Sequence, residues 1–347
     1  KYGTTYNSYF IDADKKAIIE TSKETFKDTY LNKVKSVVDY EDIEYIILDH
    51  TEPDHSSNLT HLLDLAPNAT VVGSRSAINF LKHMVDKEFK YMIVSEGDEI
   101  DLGNKTLRFI SAPFLHWPDT MFTYMTGANI LFSNDAFGQH YATESLYNDM
   151  ANEAELYQEA IKYYANILTP FSRFVTKKID DVLSLNLPLS MICTSHGVIW
   201  KDNPAQIIEQ YLKWADNYQE NQITLVYDTM WNSTRKMAEA IACGIEEADP
   251  NVTVKLFNTA KEDKNDVITE IFRSKAILVG SPTINGGYAH SIAGLLEMVA
   301  GLKMKNKKAA AFGSYGWGGE AVKKLTEELK TAGFEVKDDG VRSLWVP

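Results

Sequence analysis

The stretch Leu48-Asp49-His50-Thr51-Glu52-Pro53-Asp54-His55 carries four strong metal-ligand side chains, His50, Glu52, Asp54 and His55, within six consecutive residues. The run before it, Ile43 to Leu48, is apolar and β-branched, the composition of a buried strand. The ligands therefore fall where a strand opens into a loop. Alternation along an extended chain puts residues two apart on one side, so His50, Glu52 and Asp54 are expected to aim at one point. Two imidazoles and two carboxylates suit a borderline-to-hard ion such as iron, manganese or zinc. The competing reading is a polar turn in which Asn58 caps a helix over Leu59 to Leu65. Four ligand-type side chains at this density favour the metal.

The same event recurs downstream. A hairpin is expected from Ser8 to Ile11 and Lys16 to Ile19, with further strands at Thr70 to Gly73, Lys105 to Ser111, Thr120 to Met125, Asn129 to Ser133 and Ser190 to Cys193. Apolar spacing predicts helices over Thr25 to Val38, Ser74 to Val85, Glu153 to Tyr164 and Arg173 to Leu185. Strands repeatedly end in a ligand-type residue: His50, His116, Asp135 and His196. Layered folds assemble metal sites in this way, from several strand ends at one rim. Of eight histidines, His61 and His83 fall on helices, His140 in a loop and His290 at a helix start. Those four read as structural, because a lone His without ligand neighbours carries little signal.

Asp202 to Glu220 reads as a polar helix joining two domains. From Gln222 onward strands and helices alternate regularly, the mark of a parallel sheet. Three strand-to-helix loops are rich in hydroxyls, small residues and aromatics. They are Thr229-Met230-Trp231-Asn232-Ser233-Thr234, then Ser281-Pro282-Thr283 with Asn285-Gly286, then Ser314-Tyr315-Gly316-Trp317-Gly318-Gly319. Ligands of doubly wound sheets bind outside the carboxyl ends of the strands. Hydroxyls and helix N-terminal N–H groups in the first loop could hold a phosphate. That loop has no Lys and no GxGxxG pattern, so it is neither a nucleotide-hydrolysing loop nor a dinucleotide fingerprint. Flavin mononucleotide (FMN) suits it, with Trp231, Tyr315 or Trp317 over the ring.

A chain of 347 residues is long enough for two domains. The net charge of -13 argues against broad nucleic-acid binding. No apolar run approaches a membrane span. Cys193 and Cys243 form neither a disulfide framework nor a CxxC pair, which excludes a thiolate-bound iron module on this chain and fits a reducing cytoplasm. Lys1-Tyr2-Gly3 lacks an initiator Met and Val346-Pro347 stops just after a strand, so both ends read as incomplete.

On these residues the chain resembles the flavodiiron proteins over nearly its whole length. The pattern His-x-Glu-x-Asp-His, then His, Asp and His, is met by His50, Glu52, Asp54, His55, His116, Asp135 and His196. Hydrolytic zinc relatives of the fold usually carry a second His where Glu52 stands, and the added carboxylate favours iron. The resemblance implies an α/β chain. A metallo-β-lactamase-like αββα sandwich over residues 1–217 would precede a flavodoxin-like doubly wound parallel sheet over 218–347. It also implies a pair of iron ions, one on His50, Glu52 and His116, the other on Asp54, His55 and His196, with Asp135 bridging. FMN would occupy the three loops. Separately from the resemblance, Tyr163 or Tyr164 is a candidate hydroxyl for passing protons to the irons, the competing reading being that both are core. The implied activity is reduction of dioxygen to water or nitric oxide to nitrous oxide. Electrons would come from rubredoxin or a reduced deazaflavin, in a head-to-tail homodimer or dimer of dimers. The alternatives are a di-zinc hydrolase fused to a flavodoxin-like domain and a non-catalytic flavin electron carrier.

Overall fold

Strand β3 (Ile43–Ile47) shows how the first half is layered. Ile47 faces one apolar core with Ile19, Val72, Phe109, Met121 and Phe132, while Ile46 and the following Leu48 face another with Tyr30, Val34, Leu62 and Leu81. A strand buried on both faces reads as a continuous apolar run, which is why this segment is legible. The computed structural model describes residues 2–347, and Lys1 lies outside the described residues. The chain divides into two compact units, one running to Tyr163 together with Arg173–Leu212, the other comprising Tyr164–Ser172 and Lys213–Pro347.

In the first unit, β1 (Tyr9–Ile11) and β2 (Lys16–Ile19) form the expected antiparallel hairpin. Then come α1 (Lys27–Val37), β3, α2 (Pro53–Ser56), α3 (Leu59–Leu65), β4 (Thr70–Gly73), α4 (Arg75–Met84) and β5 (Tyr91–Ile93). Ser74 caps α4, its hydroxyl accepting from Ala77 N–H. These strands make one sheet in the order β1-β2-β3-β4-β5. A second sheet is built from β6 (Glu99–Asp101), β7 (Thr106–Ser111), β8 (Met121–Thr126) and β9 (Ile130–Asn134). After α5 (Glu153–Tyr163) and α6 (Ser172–Ser184), β10 (Met191–Thr194) joins it parallel to β9, giving β10-β9-β8-β7-β6. The inter-sheet core lies between the two sheets. Helices α1, α3 and α4 cover the first sheet. The outer face of the second meets α6 and α7 (Ala205–Ala215), where Ile110, Phe122, Tyr124 and Leu131 line an apolar cavity of about 180 Å³ with Ile179, Val182 and Ile208.

The second unit alternates as predicted: β11 (Glu220–Tyr227), α8 (Ser233–Ala248), β12 (Thr253–Asn258), α9 (Lys264–Arg273), β13 (Ser274–Gly280), α10 (His290–Leu302), β14 (Lys308–Tyr315), α11 (Glu320–Thr331), β15 (Glu335–Val336) and β16 (Val341–Leu344). All pairings are parallel in the order β12-β11-β13-β14-β15, with β16 also on β14.

Most boundaries differ from the sequence reading by a residue or two, and three of the differences have a structural cause. The joining helix forms only over Ala205–Ala215, and Glu220 already belongs to β11. The helix expected to reach Tyr164 ends at Tyr163 and gives way to a π-helical turn over Tyr164–Leu168. Strand β14 continues to Tyr315, into the loop expected to begin at Ser314, because β16 supplies partners for Phe312 through Tyr315. Among the described residues, no helix is long and apolar enough to cross a membrane.

Candidate functional site

Pro53 decides the local arrangement of the ligand stretch. Strand β3 ends at Ile47 and the chain bends at Asp49, and Pro53 opens the single-turn α2 at its first position, where a fixed φ and a missing N–H are both tolerated. The expectation that alternation aims His50, Glu52 and Asp54 at one point is therefore corrected. His50 and Glu52 join His116 and Asp135 in one group, while the turn carries Asp54 and His55 to His196 in a second.

Within the first group, Glu52 Oε2 lies 3.4 Å from His50 Nε2 and 3.2 Å from His116 Nε2. Asp135 Oδ2 lies 3.2 Å from His116 Nε2 and 3.6 Å from His50 Nε2. The other oxygen of the same carboxylate serves the second group: Asp135 Oδ1 is 3.1 Å from His55 Nε2 and 3.3 Å from His196 Nε2. Asp54 completes that group, 3.4 Å from His55 Nε2 and 3.3 Å from His196 Nε2. Asp135 follows β9 directly. Asn134 delivers it with a left-handed backbone, φ +54°, and accepts the Asp135 N–H on its own side-chain oxygen.

The His50–Glu52 contact is a long hydrogen bond, but the contacts at Asp135 and His55 are close without being aligned ones. Both Asp135 oxygens, Asp54 Oδ1 and His55 Nε2 are buried with no hydrogen-bond partner, a costly state for polar atoms. The atoms point at shared interior points rather than at each other. An ion bonded to such atoms at about 2.0–2.2 Å separates them by roughly 3–4 Å, so the donor set fits two ions that share Asp135.

Outer contacts aim the imidazoles. His50 Nδ1 lies 3.1 Å from Asp119 Oδ2, His196 Nδ1 2.7 Å from the Thr5 carbonyl, and His55 Nδ1 3.5 Å from Glu20 Oε2. Holding Nδ1 in this way turns each Nε2 inward. Burial disfavours a charged His50 or His196, yet the carboxylates beside them raise both to about 10, and His116 to about 9 by the same balance. Hydrogen bonds from His116 and His50 bring Glu52 down to about 2. Burial would raise Asp135, but the surrounding imidazoles hold it well below the carboxylate range. Without a cation the cluster thus stores protons, which metal binding would displace.

The sequence reading missed Asp119, Glu20 and Thr5. Asp119 stands three residues past His116, and Glu20 follows β2 as another acid at a strand end, so both carried a usable signal. Thr5 acts through its carbonyl, which any residue could supply. Tyr163 is fully buried beside Asp135, whose charge adds to burial in raising the phenol well above its ordinary value. Tyr164 points elsewhere, sharing a hydrogen bond with Ser172 and packing on Trp214 and Phe272. His140 is exposed in its loop with its ring 5.4 Å from that of His196, but it belongs to neither ligand group.

In the second unit the three hydroxyl loops follow β11, β13 and β14, which are neighbours in the sheet. Thr234 and Ser314 hydroxyls meet at 2.9 Å, and Thr283 N–H donates to Ser314 O at 2.8 Å, tying the loops together. Ser281 accepts from Ala289 N–H, and Asn285 and Gly286 take left-handed turns. Thr229 Oγ1 is buried without a partner, and Asn232 at the start of α8 makes no side-chain cap. An anion at this helix N-terminus would satisfy both. Met230, Trp231 and Trp317 stand exposed at the same rim, the two tryptophans at 84% and 91%. A planar aromatic ligand carrying a phosphate fits this arrangement.

The family described as ODP family beta lactamase matches residues 4–197, and Flavodoxin matches 225–342. The chain is 50% identical over 347 residues to the anaerobic nitric oxide reductase flavorubredoxin of Salmonella arizonae, covering 99% of this chain and 72% of that protein. The chain belongs to the flavodiiron protein family. Solved flavodiiron structures agree with this. The rubredoxin oxygen:oxidoreductase of Desulfovibrio gigas superposes with a TM-score of 0.95 at 33% identity, covering 99% of this chain and 86% of that one. The flavodiiron protein of Giardia intestinalis gives 0.95 at 32%, covering 100% and 85%. The β-lactamase-like and flavodoxin halves of the flavodiiron architecture thus correspond to the two-sheet sandwich and the parallel sheet described above.

Proposed function

We propose that this flavodiiron protein reduces nitric oxide, dioxygen or both at a pair of iron ions, with electrons passing through FMN from an external donor. The observation that carries the reading is Asp135, whose two carboxylate oxygens each face one complete ligand group. His50, Glu52 and His116 would hold one ion, Asp54, His55 and His196 the other, and Asp135 both. Paired irons supply two adjacent Lewis acids for the two ends of dioxygen or for two nitric oxide molecules. FMN supplies electrons singly or in pairs. The Glu52 and Asp54 side chains are 36% and 28% exposed while the histidines and Asp135 are buried or nearly so, which opens the site to a gas molecule on the Glu52–Asp54 side. Tyr163, neutral and buried at Asp135, can keep a proton there.

The reading takes residues 1–217 as the di-iron domain and 218–347 as the FMN domain. The FMN contacts are Thr229 to Thr234, Ser281 to Thr283, Asn285, Gly286 and Ser314 to Gly319. It includes a cytoplasmic head-to-tail homodimer or dimer of dimers. The donor is of rubredoxin type or a reduced deazaflavin, the former in keeping with the names of two of the three relatives above, flavorubredoxin and rubredoxin oxygen:oxidoreductase. The test is anaerobic reduction followed by a stoichiometric pulse of each gas, with flavin absorbance recorded. Reoxidation by at least one gas is expected. Reduced flavin unaffected by both gases, or full activity in protein holding only zinc, would overturn the reading.

A further inference from the structure

Trp345 directly follows β16, and its backbone N–H donates to Tyr315 O at 2.8 Å. The pairing of Leu344 with Tyr315 brings it to the start of the 314–319 loop. Its φ is +56°, a region that bulky side chains rarely occupy. The side chain is 63% exposed, so burial does not account for a tryptophan here. Its contact does. A Cβ placed on Gly316 would lie 3.3 Å from one indole carbon and 3.6 Å from two others, so the ring rests on the Gly316 backbone. At the other end of the loop, a Cβ on Gly319 would lie 3.2 Å from the Tyr315 ring, and Gly319 has φ +91°. The loop is clamped at 316 and 319, while Trp317 between them stays 91% exposed.

We propose that Trp345 is a positioning residue for the flavin, a buttress that fixes the 314–319 loop so that Trp317 meets the isoalloxazine ring of FMN in one place. The inference rests on the FMN reading above. A loop ordered before the cofactor arrives avoids the ordering cost at binding, and the indole on Gly316 supplies that order from outside the loop. Gly316 is then constrained by Trp345 as well as by the cofactor.

The test uses the whole chain, reconstituted with FMN, as wild type, Trp345→Ala, Trp345→Phe, Gly316→Ala and the Trp345→Ala/Gly316→Ala double variant. The readouts are the FMN dissociation constant, quenching of flavin fluorescence and the flavin midpoint potential. Trp345→Ala is expected to weaken FMN about tenfold, the scale of one lost aromatic packing contact, with less quenching and a shifted potential. Gly316→Ala, whose methyl pushes the indole by a few tenths of an ångström, should weaken FMN in the same direction but by less, and the double variant should be no worse than Trp345→Ala alone. Trp345→Phe should restore most of the affinity. Additive losses, or affinity, quenching and potential all unchanged in Trp345→Ala, would overturn the inference while leaving the FMN reading intact. A wild-type chain that binds no FMN would bring down both.

Discussion

Asp119 Oδ2 accepts from His50 Nδ1 at 3.1 Å and, at the same time, from the Thr51 backbone N–H and the Thr51 hydroxyl at 2.8 Å each. One buried carboxylate oxygen therefore fixes both the ring and the backbone of the ligand stretch. Asp119→Ala should weaken metal binding by about 10–100-fold, the range for a lost outer partner of a ligating His. Competition with a chelator, followed by metal analysis, measures this. Asp119→Asn, which can still accept, should fall between the two.

Asp135 belongs to both ligand groups, so its loss should be felt twice. Asp135→Asn removes the charge that two cations share and is expected to abolish gas reduction while lowering bound iron below that of wild type. Metal analysis with FMN content measured in parallel checks this. FMN should stay at the wild-type level.

The protons stored in the metal-free cluster give its stability a pH signature. His50 and His196 near 10 and His116 near 9 lie above the ordinary 6.5, so their contribution is full below pH 6.5 and is lost as pH rises through 9–10. Glu52 near 2 lies below the ordinary 4.5, so its contribution is full above pH 4.5 and is lost as pH falls through 2. The metal-free protein should therefore show its highest Tm between about pH 4.5 and 6.5. Metal binding releases the imidazole protons, so the loaded protein should gain in Tm over the metal-free form as pH rises. Scanning calorimetry on both forms tests the sign.

Thr229 Oγ1 is buried without a partner. Thr229→Val keeps the shape and removes the hydroxyl. FMN affinity should drop about tenfold or more, as for a lost hydrogen bond to a charged group, with iron content unchanged. Fluorescence titration with FMN reads the first, metal analysis the second.

Ile47 is fully buried in the inter-sheet core on the strand that leads into the ligands. Ile47→Ala should cost about 2–5 kcal/mol, measured by denaturant unfolding.

What was legible in the sequence, and what was not, follows from the kind of group involved. His50, His116, Asp135 and His196 are legible because each is a ligand-type side chain that follows an apolar strand, Asp135 directly after β9 and His116 in the loop after β7. Thr5 stayed hidden because a carbonyl has no residue signature. The resemblance divides the ligands between two ions as the structure groups them, whereas alternation alone does not, because Asp54 and His55 lie in the turn that Pro53 opens. Adjacent tyrosines at 163 and 164 could not be ranked, since the face each takes depends on where the regular helix gives way to the π-turn. In the second unit the parallel sheet was read correctly, but the reach of β14 depended on β16, a pairing distant in sequence. Trp345 escaped notice for the same reason.

The crease at Pro53 has a practical consequence for redesign. Lengthening the chain by one residue between Pro53 and Asp54 would swing Asp54 and His55 about 100° around the turn, away from His196, while His50 and Glu52 kept their places. Editing spacing instead of chemistry would thus yield a mononuclear version, in which the contribution of a lone ion could be compared with that of the pair.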